Sequence, residues 1–495
     1  MTLKMHNTLS GVIEPLTTTR DGEVGLYVCG ATVYDRCHVG HARSFVFFDM
    51  LVRYLRLAGW RVRFVRNITD VDDKIIRRAS DEGIAAKALA ERYIETFRRD
   101  VAALGCVAPD AEPRATEHLP EMIAMIGALV ANGLAYPADG DVYFAVGAFP
   151  GYGKLSKRKL DELQAGARVE VDERKRDALD FALWKAAKPG EPFWESPWGP
   201  GRPGWHLECS AMSVKYLGQP FDLHGGGEDL IFPHHENEIA QSEGAARRPF
   251  VRHWLHHAFV RINDEKMSKS LGNFFTIEEI LKNLPSEALR LFLVGTHYRS
   301  PLDFAEQGLA DAARACARIH ETMARLDEAL GAGPAFGAGP ALGAGPGGSG
   351  ADARPAGELP VAVRRYRDEF TAAMDDDLNS PRALGALFDE IREINRLLDA
   401  GEREALAAHR RNFTELAGIL GVLRSPARRY VEEEKGRHLS ASGIDPAEIE
   451  RLIAERTAAR KARDFRRADE IRDQLLARGI ALKDGAEGTS WSTLS

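Results

Sequence analysis

The stretch that decides the fold is residues 24–67, VGLYVCGATVYDRCHVGHARSFVFFDMLVRYLRLAGWRVRFVRN. Residues 24–30 are an apolar run closed by Gly30, which reads as a buried strand and a turn. Residues 41–58 carry Phe45, Phe48, Leu51, Val52 and Leu55 at helical spacing. Residues 61–67, RVRFVRN, alternate as a strand. Strand, helix, strand in this order is a βαβ unit, and parallel neighbours need such a crossover. The fold class is therefore α/β, with a parallel sheet at its centre.

Outward from that unit, residues 72–107 and 117–133 read as helices. The stretch 137–205 is rich in Gly, Pro, Trp and charge, and reads as an insertion between two halves of the sheet domain. Strand-like runs return near 221–224 and 255–262, and 277–295 is again helical in pattern. Residues 331–350, GAGPAFGAGPALGAGPGGSG, hold too little side chain to offset their ordering entropy, and read as a flexible linker. Amphipathic helices are expected over 361–423, a further helical stretch over 446–478, and a small β element at 479–491.

The 495 residues are 44% apolar and 28% charged, the balance of a soluble globular protein. A net charge of −7 argues against an indiscriminate basic nucleic-acid coat and leaves local basic patches open. Five cysteines in so long a chain form no disulfide scaffold, and the odd number fits a reducing compartment. No apolar run reaches the roughly 18 residues of a membrane span. MTLKMHNTLSGVIEPL lacks the apolar core of a signal peptide, so a cytosolic protein is expected.

No GxxxxGK[ST] is present, which removes the P-loop reading. Instead His38-Val39-Gly40-His41 follows the first strand and opens a helix. Backbone N–H groups and the positive end of a helix dipole favour an anion there. Two imidazoles can donate to phosphate oxygens, and Gly40 lets a nucleotide come close. The second element is Lys266-Met267-Ser268-Lys269-Ser270, ahead of a helix. Two lysines and two hydroxyls in five residues suit a clamp on a triphosphate.

Cys209 follows Gly204-Trp205-His206, and His234-His235-Glu236-Asn237-Glu238 comes later. On a helix, His234 and Glu238 share a face as i and i+4. A thiolate, an imidazole and a carboxylate suit Zn²⁺. Spacing leaves the fourth ligand open, with His206, His235 and Cys37 as candidates.

HVGH after the first strand, with KMSKS after the second half-sheet, resembles the class I aminoacyl-tRNA synthetases. YVCGATVYD, RNITDVDDKI, DFALWK and AMDDDLNSP extend the resemblance to the cysteinyl-tRNA synthetase family over nearly the whole chain. The resemblance implies a Rossmann-like sheet that binds ATP at its strand ends. It implies one Zn²⁺ per chain on Cys29, Cys209, His234 and Glu238, and Mg²⁺ accompanying ATP. It implies His38, His41, Lys266 and Lys269 as the groups that stabilise charge in the transition state. Around the adenylate it places Gly30, Thr32, Gly40, Ser44, Thr69, Trp205, Gly227, Asp229 and Ser268. Cysteine, ATP and tRNA-Cys are the implied partners of a cytosolic monomer. Val39 replaces the family's usual isoleucine. Glu228 stands where many relatives have Ser, and His256 and His257 either approach the nucleotide or pack.

The implied domains are a catalytic domain at 1–115 and 201–250 and a connective insertion at 116–200. A KMSKS and stem-contact region follows at 251–310. Helical residues 311–330 and 358–425 flank a linker at 331–357, and an anticodon-binding module occupies 440–495. In the last, Arg456, Arg460, Lys461, Arg463, Arg466 and Arg467 fit either phosphate contact or a solvated helix paired to Asp464, Asp469 and Glu470. Trp491 is a candidate for stacking on an unpaired base. Asp375, Asp376 and Asp377 are expected to be structural caps. Two other readings compete. One is a ligase that passes activated cysteine to an amino sugar. The other is a non-catalytic tRNA-binding paralogue.

Overall fold

The opening apolar run forms strand β1 (Glu23–Val28), helix α1 (Val39–Leu57) carries the chain back, and β2 (Arg61–Arg66) lies parallel to β1. The computed structural model describes residues 3–159, 174–262, 265–266, 275–331, 359–442, 445–485 and 488–493. Met267, Ser268, Lys269 and nearly all of the GAGP linker lie outside these described residues.

Much later in the chain, α2 (Trp205–Leu217), β3 (Phe221–Gly227), α3 (Glu236–Ala246) and β4 (Val251–His257) complete the sheet. Its order is β4-β3-β1-β2, with every pairing parallel. The chain leaves β1 for a neighbour on one side and returns to the other. The strand ends of β1 and β3 thus flank a switch point, where α/β sheets open a crevice. Every residue of β3 is buried, as a strand covered on both faces should be.

The apolar stripe of α1 packs on this sheet, with Phe45, Phe48, Leu51, Val52 and Leu55 all buried. A Cβ at Gly225 would stand 2.2 Å from the Phe48 ring, so α1 rests directly on the backbone of β3.

Several elements differ from the sequence reading. The expected helix at 72–107 is two, Asp73–Glu82 and Ala86–Ala103, because Gly83 ends the first with φ of 66°. The expected helix at 277–295 divides at Pro285 into Ile277–Asn283 and Ser286–Val294. The insertion holds a four-stranded antiparallel sheet of Ala135–Ala138, Asp141–Phe144, Phe181–Ala186 and Gly201–Pro203. These strands are three to six residues long, too short for a periodic pattern to stand out.

Asp377 is more than a cap. It accepts from the His6 N–H (2.8 Å) and the Tyr298 hydroxyl (2.7 Å), and it pairs with Arg299. Asp375 accepts from the Tyr54 hydroxyl at 2.6 Å. The two carboxylates tie the N-terminal strand Lys4–Asn7, α1 and the helical region together.

Candidate metal centre and nucleotide cleft

Cys29 follows β1 directly, its N–H donating to the Gly225 carbonyl across the switch point (3.2 Å). Cys209 lies on α2. His234 sits in the wide turn Ile231–His235 that leads into α3, where Glu238 stands. Three separate segments therefore converge on one point. Donor atoms of Cys29, Cys209, His234 and Glu238 all lie within 4.8 Å of one another. A second group, Cys29, His224, His235 and Glu238, meets the same limit and shares two members with the first. Cys37 belongs to neither group. It is buried in the core, where burial pushes its thiol up to about 12.

The distances fit a metal. The sulfurs of Cys29 and Cys209 are 3.5 Å apart, far beyond a disulfide and close to the ~3.8 Å between two thiolates on one tetrahedral zinc. Glu238 Oε1 lies 3.5 Å from Cys29 Sγ and 3.0 Å from His234 Nε2. Burial opposes charge on Cys209, yet the Cys29 S–H and His234 outweigh it and bring the thiol below its usual value. Burial likewise opposes charge on Glu238, and His224 and His234 hold its carboxyl down at about 2. Cys209 and Glu238 are thus held deprotonated, while burial raises Cys29 well above its usual value and Glu238 outweighs burial to raise His234 to about 10, so a bound metal would displace a proton from each of these two.

Around these four stands a shell of imidazoles. His224 Nε2 lies 2.8 Å from Glu238 Oε2, and His206 Nδ1 lies 2.9 Å from His234 Nδ1. His235 reaches Cys29 Sγ at 3.3 Å. Trp205, 38% exposed, lays its ring 4.2 Å from that of His234. The first group therefore borders open space. His224 is instead stacked on buried Trp254.

Next to Cys29, the Gly30 N–H donates to Asn67 Oδ1 (2.8 Å). A Cβ at Gly30 would fall 1.7 Å from the Asn67 carbonyl oxygen, so only glycine fits. Thr32 and Thr69 form a β-bridge, and the Thr69 hydroxyl donates to Glu208 (2.7 Å), whose carboxyl burial raises well above its usual range.

His38 caps α1. Its Nδ1 accepts from the Gly40 N–H (3.1 Å), while its own N–H donates to His41 Nδ1 (3.2 Å). Both Nδ1 atoms are acceptors, so both rings carry their proton on Nε2. Burial lowers His38 to about 4 and His41 well below its usual value, so both are neutral donors at neutral pH. The Val39 N–H donates to Phe275 O and the Ile277 N–H to Cys37 O, which stitches the helix start to the residues that follow the KMSKS segment. Before that segment, Lys266 pairs with Arg261 in a short antiparallel strand.

Gly227 ends β3 and Asp229 is exposed just beyond it. Ser44, on α1, lines a small cavity with Val28, Phe48 and Arg66. Glu228 accepts from the Phe259 N–H (3.0 Å), a structural bond that the sequence did not reveal. His256 bonds to His235 (2.7 Å), and His257 is buried at the end of β4 against Phe47 and Phe48. Sequence reasoning missed the orienting role of His224. Its one signal was its place immediately before Gly225-Gly226-Gly227.

Family models match over three segments. The model for the class I (C) tRNA synthetase catalytic domain covers residues 15–314, a DALR domain covers 369–424, and a cysteinyl-tRNA ligase anticodon-binding domain covers 446–491. The cysteine–tRNA ligase of Geobacter sulfurreducens is 56% identical over 493 residues, covering 99% of each chain. The chain belongs to the cysteine–tRNA ligase family. The Geobacter metallireducens ligase is 54% identical over 496 residues, again with 99% of each chain covered. Mycobacterium tuberculosis methionyl-tRNA synthetase, solved with methionyl-adenylate, superposes with a TM-score of 0.58 over 86% of this chain and 94% of that one. At 18% identity that likeness concerns the fold alone.

Of the two readings of the C-terminal arginines, the structure shows the acid pairing of a solvated helix. Arg456 is tied to Asp484 through both of its NH groups (2.7 and 2.9 Å), and Arg478 likewise to Glu448 (2.8 and 3.0 Å). Arg467 pairs with Glu455, and Arg466 with Glu470. Trp491 is not a free stacking platform. Its Nε1–H donates to Glu450 (2.8 Å) and Lys435 covers its ring at 3.2 Å. The exposed aromatic is Phe465, 62% accessible at the start of the helix Phe465–Ala477.

Proposed function

We propose that this chain activates L-cysteine with ATP as cysteinyl-adenylate, releasing diphosphate, and transfers the cysteinyl group to the 3′-terminal adenosine of tRNA-Cys. The reading extends to a cytosolic monomer. The observation that carries it is the thiolate-rich donor group at the switch point, bordered by half-exposed Trp205.

The donor set suits Zn²⁺, held by Cys29, Cys209, His234 and Glu238. This group is preferred over the one with His224 and His235 because it offers two thiolates and borders the open cleft. When bound, the metal supplies a soft Lewis acid that takes a thiolate in preference to a hydroxyl. Cysteine and serine differ by one atom, and a shape-only pocket separates such pairs by only about 1–3 kcal/mol.

The chain's own residues do the rest. Gly30 and Thr69 border the amino-acid site, with Trp205 as an aromatic wall. The Nε2–H groups of His38 and His41 donate to phosphate oxygens, beside the N–H groups that open α1. Lys266 and Lys269 neutralise the charge that builds on the α-phosphate and the leaving diphosphate, with Mg²⁺ accompanying the nucleotide. Asp229 accepts from ribose hydroxyls, with Gly227 giving the adenosine room. Thr32, Gly40, Ser44 and Ser268 complete the contact set. No side chain forms a covalent intermediate, so positioning and preorganised electrostatics carry the catalysis.

The matched module at 446–491 favours tRNA over an amino sugar as acceptor. The test is cysteine-dependent ATP–diphosphate exchange with serine as control, zinc quantified in the same preparation, then aminoacylation of tRNA-Cys. Exchange with cysteine alone at one zinc per chain is expected. Equal exchange with serine would remove the selective role given to the metal.

A further inference from the structure

We infer that Thr8, on the N-terminal segment, is a positioning residue for the metal centre, acting on the Cys29 sulfur through the imidazoles of His256 and His235. The inference rests on the ligand group proposed above.

The turn that carries Thr8 is fastened to β4. Buried Asn7 accepts from the N–H groups of Leu9 and Trp254 (both 3.0 Å) and donates to the Arg252 carbonyl (3.1 Å) and Glu14 (2.7 Å). The Thr8 N–H donates to the Trp254 carbonyl (2.9 Å). From this fixed backbone, Thr8 Oγ1 reaches His256 Nδ1 at 2.8 Å. His256 Nε2 meets His235 Nδ1 at 2.7 Å, and His235 Nε2 meets Cys29 Sγ at 3.3 Å. Four residues far apart in sequence thus form one line from the N-terminus to a metal ligand.

The line has a direction. A neutral imidazole donates from one nitrogen and accepts at the other, and the facing ring nitrogens of His235 and His256, 2.7 Å apart, need one of each. A ligating Cys29 is a thiolate and accepts, so His235 donates from Nε2. Its Nδ1 then accepts from His256 Nε2–H, and His256 Nδ1 accepts from the Thr8 hydroxyl. The hydroxyl is the donor that closes the sequence. The rings are also held in place. His235 lies 4.6 Å from His224, and His256 is parallel to Trp254 within 2°. Both rings are buried, at 0% and 7% exposure. Outer hydrogen bonds of this kind orient a ligand and tune its basicity, and their loss typically weakens metal binding about 10–100-fold.

The test uses the full chain with Thr8→Val, which keeps the shape and removes the donor, and Thr8→Ser, which keeps the donor. Zinc affinity is measured by chelator competition, and the Co²⁺-substituted proteins are compared by their sulfur-to-metal absorption. Thr8→Val is expected to bind zinc about 10-fold more weakly and to shift the cobalt band, with Thr8→Ser close to wild type. If Thr8→Val does not fold, Thr8→Ala is read by the same two measurements. A purely structural role would lower thermal stability without moving the cobalt band. Wild-type zinc affinity and spectrum in Thr8→Val, or a Thr8→Ser as impaired as Thr8→Val, would overturn the inference alone. A folded wild-type chain that binds no zinc would overturn the metal reading and this inference together.

Discussion

The metal cleft and the C-terminal module use polar side chains in opposite ways. In the cleft, Glu238, His224, His234 and His235 are 0–1% exposed, and each finds a partner among its neighbours. Buried polar groups are costly when unpaired, so this region tolerates few alternatives. In the module, Arg466, Arg467 and Arg472 pair with nearby acids while remaining in solvent. Such pairs are worth little individually. One region is therefore specified by close contacts between buried polar groups, and the other by shape and by a few anchors such as Arg456–Asp484.

Substitutions should separate the two regions, and the largest effect is expected in the cleft. Cys209→Ser should abolish stoichiometric zinc and lower cysteine-dependent exchange by more than about 100-fold. Full metal content in that variant would remove Cys209 from the ligand set. Lys269→Ala comes next. Removing a positive charge that acts in the transition state should cost about 10²–10³ in the exchange rate while the KM for cysteine changes little. Equal losses in both would contradict its role.

The module should respond differently. Phe465→Ala should leave exchange intact and weaken tRNA binding by about 10-fold, the range of one lost base stack. Trp491→Ala should instead lower the thermal stability of the module, because it packs against the module's buried apolar cluster and its Nε1–H is committed to Glu450. If Trp491→Ala spared stability and Phe465→Ala spared tRNA binding, the assignment of the two aromatics would be reversed.

The smallest effect concerns acid. Burial lowers both His38 and His257 to about 4, against about 6.5 in an unfolded chain. Between those values the unfolded chain binds more protons, so stability is present above pH ~6.5 and falls as the pH drops toward 4. Denaturant titrations across that range should show the decline, and His257→Gln should make it shallower. An unchanged slope would mean that His257 is charged in the folded chain.

The limits of the sequence reading follow from particular residues. HVGH was legible because a helix N-terminus is local, and the capping bonds of His38 and His41 span only three positions. The apolar stripe of α1 was legible for the same reason. Gly83 and Pro285 were present in the sequence as helix breakers, yet the periodic pattern on either side masked them. The sheet in the insertion was illegible because its strands are short and pair only with one another. The covering of Trp491 is illegible in the sequence because its partners, Glu450 and Lys435, lie 41 and 56 positions away. The exposure of Phe465 became evident only once the helix beneath it had a buried face.

By itself the sequence determined the βαβ start, the parallel sheet and the residue types able to hold phosphate and a soft metal. Those properties depend on periodicity and on chemistry carried by neighbours in the chain. Which donors meet was decided by the tertiary structure. Cys29, Cys209, His234 and Glu238 come from three segments that only the β1–β3 switch point brings within 4.8 Å. The same is true of the line from Thr8 to Cys29. Spacing along a chain limits what adjacent residues can do, whereas contact between distant residues depends on how the whole sheet is ordered.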